Sequence, residues 1–141
     1  MSDHETLLKL AALQRDAVFA DLAIERRKIA ALETEIAEIA RLQRKALARE
    51  GQDAARRTAG VDTAWQTWLG TRRAGLLQKL ALARANEDGL ATRAARAQGR
   101  SEAARFLAET EARDLRKRRL AAEERDRLSV GLQLWQRNRA T

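Results

Sequence analysis

Cysteine, proline and tyrosine are missing from this chain of 141 residues, histidine occurs once, and aromatic side chains make up only 4 %. Each shortage closes a route. With His4 as the one imidazole and no thiolate, a structural zinc site within one chain has no ligand set. A cysteine-free composition suits a reducing cytosol, though exported proteins also do without cysteine. β-Branched and aromatic residues, the usual strand formers, are few, while Ala, Leu, Arg, Glu, Lys and Gln dominate and no proline interrupts them. These proportions predict an all-helical protein. No stretch approaches the ~18 apolar residues of a membrane span. The opening MSDHETLLKL begins with acids instead of a basic region followed by an apolar one. The expectation is a cytoplasmic chain with no leader.

Basic residues are abundant but uneven. Residues 1–50 carry nine basic and nine acidic side chains, residues 51–100 nine and four, and residues 101–141 ten and seven, so the net charge of +8 belongs to the second half. Such an arginine-rich surplus attracts nucleic acid, anionic lipid or an acidic protein surface by the same long-range force. Charge alone does not choose among them.

Periodicity supplies the architecture. Ser2 and Glu5 match an S-x-x-E capping box, which starts a helix. Val18, Leu22, Ile29, Leu32, Ile36 and Ile39 then follow at alternating spacings of four and three, the pattern of a coiled-coil seam, with Arg15, Glu25 and Gln43 as polar members of the same register. Gly51 and Gly60 bracket a segment with no apolar period, read as a turn, after which Asp62 or Thr63 can cap a second helix. In that helix Trp65, Leu69, Arg72 and Leu76 keep the spacing, and Leu69, Leu76, Ala83 and Leu90 recur every seven residues. Asn86, Gly89 and Gly99 weaken its middle, and Ala83, Ala94 and Ala97 bury little area, so thinning or bending is expected there. Leu128, Leu132 and Trp135 restore the spacing further on. The reading is one antiparallel two-helix coiled-coil hairpin over residues 1–141: helix one about 3–50, turn about 51–61, helix two about 62–138. At ~1.5 Å per residue it is a rod of roughly 80 Å with a C-terminal helix overhang.

A two-helix rod has a seam and no concave pocket in which to desolvate a substrate, so neither a catalytic residue nor a cofactor is expected. GTRRAG resembles a phosphate loop only in outline, lacking the G-K-[ST] ending and a preceding strand. Glu33, Glu35 and Glu38 read as a charged face held by ion pairs. What remains is partner binding. In RDLRKRRLAAEERDR, Arg116, Lys117, Arg118 and Arg119 form a dense positive turn, diluted by Asp114, Glu123, Glu124 and Asp126; it is a solvated face, a protein-binding face or a phosphate-binding one. Trp65 and Trp68 lie three residues apart on one face. The expected register seats Trp65 in the seam and leaves Trp68 on its shoulder beside Arg72, either stapling the hairpin end or offering an anchor to a partner. The candidate partner-binding residues are Trp65, Trp68, Leu69, Arg72 and Leu76 near the turn, Arg116, Arg118 and Arg119 in the basic run, and Leu128, Leu132 and Trp135 beyond it.

A basic, cysteine-free hairpin of this length, with IAALETEIAEIARLQ in helix one, AWQTWLGTRRAGLL opening helix two and RDLRKRRLAAEERDR near its end, resembles the flagellar export protein FliJ and its injectisome counterpart YscO. The resemblance implies a non-enzymatic central stalk of a type III protein export ATPase. Its open end would enter a hexameric export ATPase and its tip region would contact the export gate, with export chaperones as further partners. It also implies a cytoplasmic location, peripheral at the inner face of the cell membrane through the export apparatus. Two competing readings are a nucleic-acid-associated basic coiled coil and a homodimeric structural rod.

Overall fold

The computed structural model describes residues 2–50 and 61–140; the expected turn lies outside them. The chain is all-α, as composition and periodicity predict: helix α1 spans Asp3–Glu50 and helix α2 spans Val61–Ala140. The capping box forms as expected. The Glu5 amide donates to Ser2 Oγ at 3.2 Å, and the Ser2 amide to the Glu5 carboxylate at 3.4 Å. At the start of α2 the expectation of a cap at Asp62 or Thr63 is corrected, because both lie inside a helix that already begins at Val61. The Thr63 carbonyl accepts the Thr67 hydroxyl at 2.9 Å, a bond one helical turn long.

The chain divides into two compact units. In the larger, residues 16–96, α1 and α2 run antiparallel. Ile39 and Arg44 share a groove with Arg72 and Leu76, whereas Asp21 and Glu25 share one with Leu90 and Arg93. The core is a single seam of Ile29, Leu32, Ile39, Leu69, Leu76, Leu80 and Ala83, against which Ile36 and Leu42 pack half-buried. Leu22, Glu25 and Ala46 extend it on α1, and Ala94 on α2. From Leu22 to Ile39 the row steps by three and four, the spacing that keeps one stripe facing a partner helix. Burying each Leu or Ile contributes ~1.5–3 kcal/mol.

In the smaller unit, residues 1–15 and 97–141, the buried ones among the described residues are Ala97 and Ser101. The Arg15 guanidinium donates to the Ser101 hydroxyl at 3.3 Å, and His4 Nε2 lies 3.7 Å from a Glu111 oxygen. Those two pairs fix an antiparallel order here as well. Small and polar side chains replace aliphatic ones, which is the thinning that the alanines foretold. The helix itself does not break, for α2 is continuous through Asn86, Gly89 and Gly99.

Two features of this packing cost stability. Glu25 is 8 % exposed, and while one carboxylate oxygen lies 3.6 Å from Lys28 Nζ, the other is buried with no hydrogen-bond partner. Burial without a partner costs about 1–3 kcal/mol. Glu25→Leu should therefore raise the urea midpoint, with a gain of ~1–2 kcal/mol. Gly89 sits mid-helix although a Cβ there would meet nothing within 4 Å. Gly89→Ala is expected to stabilise by ~0.5–1 kcal/mol in the same titration, since helix propensity changes and packing does not.

Candidate partner-binding surfaces

Near the start of α2 the indoles of Trp65 and Trp68 stack on each other, ring centroids 5.3 Å apart and planes 11° from parallel. Trp65 is 43 % exposed and Trp68 54 %. The expectation that Trp65 packs into the seam is thus corrected. Leu69, fully buried, occupies the seam side of this turn, α1 offers only Ala46 as its last buried residue, and each indole covers part of its apolar surface with the other. Arg72 is likewise no seam residue. It is exposed and its guanidinium donates to Glu35 on α1 at 3.4 Å, so the row on α2 steps from Leu69 straight to Leu76.

This arrangement sorts the turn-end candidates. Trp65, Trp68 and Arg72 are open to a partner, whereas Leu69 and Leu76, 0 % and 2 % exposed, hold the helices together. Two grooves flank them and share Arg72 and Leu76. One is lined by Trp68, Thr71, Gly75 and Lys79, the other by Glu35, Glu38, Arg41 and Arg44 among others. Two of the carboxylates there are already engaged, Glu35 by Arg72 and Glu38 by Arg41, whose guanidinium donates to it at 2.6 and 3.1 Å. The hydrogen bond from Arg41, assisted by its charge, holds the Glu38 carboxyl below its ordinary pKa. Arg44, Lys79 and Gly75 were not singled out by periodicity. A charge count finds the cations: residues 39–49 and 63–79 contain seven basic side chains and no acid.

The second surface belongs to the smaller unit. Beyond Glu111, every residue of α2 from 112 to 140 is exposed. Arg116, Arg118 and Arg119 stand on this segment, as do Leu128, Leu132 and Trp135, the last three 66 %, 59 % and 57 % exposed. Arg139 lies over the Trp135 ring, 5.0 Å from its centroid, a cation–π contact within the helix. Nine basic and four acidic side chains occupy these 29 positions of helix. The spacing of Leu128, Leu132 and Trp135 continues a helical face whose side chains are all exposed.

Among the described residues no group of three or more His, Asp or Glu side chains is placed to hold a metal ion, and no helix is long and apolar enough to cross a membrane. No protein-family model, curated protein or solved structure matches the chain.

The two tryptophans make a direct check on this geometry. Trp65→Ala and Trp68→Ala should each lower the thermal midpoint only slightly. Leu69→Ala should cost ~2–4 kcal/mol, as truncation of a fully buried leucine does. Circular dichroism melts of the three variants measure the difference. A Trp65 variant as damaging as Leu69→Ala would restore the seam position for that ring.

Proposed function

We propose that the protein is a non-enzymatic stalk of a type III protein export ATPase, flagellar or injectisome, as the resemblance to FliJ and YscO implies. The observation that carries this reading is the basic extension of α2: residues 112–140 remain helical and every one of them is exposed, with aliphatic and indole side chains displayed between arginines. An isolated helix of this kind gains little from propensity alone and is stabilised by a partner that covers it. A ring pore with acidic and apolar lining would do both. In this reading the hexameric export ATPase takes the extension through Arg116, Arg118, Arg119, Leu128, Leu132 and Trp135. The turn-end surface around Trp65, Trp68 and Arg72 meets the export gate, and export chaperones are further partners. The protein then works in the cytoplasm, peripheral to the inner face of the membrane through the assembly it serves.

A stalk of this sort acts as a single hairpin, so light scattering after size exclusion should give a mass near 15.8 kDa. A mass of twice that value at micromolar concentration favours the homodimeric rod instead. The functional test is turnover of a cognate export ATPase. Full-length protein should stimulate it or promote ring assembly, and a chain ending before Leu128 should do so several-fold less. Equal stimulation by both removes the extension from the mechanism.

A further inference from the structure

The turn-end surface carries a chemistry that the stalk reading does not use. Trp65 and Trp68 form a two-ring stack on the outside of α2, and the groove beside Trp68 continues over Thr71, Arg72 and Gly75 to Lys79. It is a short open trough of about 270 Å³. Nothing stands over Gly75, where a Cβ would meet no atom within 4 Å. Arg72 and Lys79 line it, and Arg41 and Arg44 line the adjoining groove that shares Arg72 and Leu76 with it. Glu35 and Glu38, which line the adjoining groove, are engaged by Arg72 and Arg41. Arg44 and Lys79 make no ion pair among the described residues.

We propose that this trough binds single-stranded nucleic acid, a nucleobase stacking against Trp68 while Lys79 beside it and Arg44 in the adjoining groove meet phosphates. Single-strand sites elsewhere combine the same two parts, an aromatic platform and a cationic track, because every base has a π-face and every linkage a charge. A duplex hides its base faces in the stack and fits this surface less well. A helical protein partner would call for a row of aliphatic side chains, yet Leu77 is the one large aliphatic exposed between residues 63 and 79. Beside the two indoles and the cations Arg72, Arg73 and Lys79, that exposed surface is Thr, Gly, Ala and Gln. Nucleic acid bound here occupies the surface that the stalk reading gives to the gate, so the two ligands exclude each other.

The experiment uses the full chain carrying Trp135→Phe, which leaves Trp65 and Trp68 as the only indoles. Fluorescein-labelled oligo(dT) of about 12 nucleotides is the probe, within the span of known single-strand sites. Anisotropy should show binding, indole emission should be quenched, and log affinity should fall against log salt with a slope of about −1.4, as two phosphate contacts on a single strand require. Trp68→Ala removes the platform, and Gly75→Leu fills the trough while keeping every charge. Each should weaken binding roughly ten-fold, in line with the loss of one base–aromatic stack, with helix content unchanged by circular dichroism. Poly-L-glutamate should bind weakly and without dependence on Trp68. The proposal is overturned if oligo(dT) does not bind, or if Trp68→Ala and Gly75→Leu leave its affinity intact, which would place the contact on the basic extension. It is equally overturned if poly-L-glutamate matches oligo(dT) in affinity and in dependence on Trp68, which would mark the surface as a site for an acidic protein.

Discussion

Everything else in this molecule depends on one constraint: two helices must bury their apolar stripes in each other, since no other described element packs on either. Long helices of Ala, Arg, Glu and Leu are marginal alone, and tertiary burial makes them persist. In the larger unit the stripe is aliphatic, with Leu69 and Leu76 sealed between the helices. In the smaller it is reduced to Ala97, Ser101 and the Arg15–Ser101 hydrogen bond. Apolar area, and with it most of the favourable free energy, is therefore concentrated between residues 16 and 96. The ion pairs Glu33–Arg84 and Glu35–Arg72 join the helices from outside, with all four side chains about half exposed. Exposed pairs of this sort contribute little stability. They serve better as marks of alignment.

Much of this was legible in the amino-acid pattern, and the reason is geometric. A stripe that returns every three and four residues needs only local spacing, so the register of α1 from Leu22 through Ile39 could be read directly, Glu25 included. The seven-residue recurrence of Leu69, Leu76 and Ala83 was equally plain. Spacing says which side chains share a face; it does not say which of them find a counterpart across the seam. Trp65 and Arg72 share the spacing of Leu69 and Leu76, yet one ring stacks on its neighbour and the guanidinium reaches Glu35 on the other helix. The second outcome is set by a residue 37 positions away, and the first by a local stack that competes with the seam. The cap of α2 was misassigned for a different reason: Asp62 and Thr63 are good caps, but helix also tolerates them, and the backbone enters the helix before reaching either.

The two candidate surfaces differ in what holds them. Around Trp68 the backbone is fixed by the seam directly beneath, with fully buried Leu69 next in sequence, so rings and cations are presented in a set geometry. A ligand there loses little free energy to ordering the protein. The segment from 112 to 140 has arginines and apolar side chains in plenty, and every one of its residues is exposed. A partner must fix both its side chains and its course, and the affinity observed is what remains after that ordering.

That exposure also sets a clock. Along the seam, amide protons are released to solvent only when the two helices separate, an event that costs the burial of Leu69, Leu76 and their neighbours. In the bare segment of α2 each amide is guarded by one hydrogen bond within the helix and by nothing outside it, so its exchange follows the local helix–coil equilibrium, which relaxes within about a microsecond. Two segments of one uninterrupted helix thus live on separate timescales. The faster of them becomes as slow as the seam only while something else is wrapped around it.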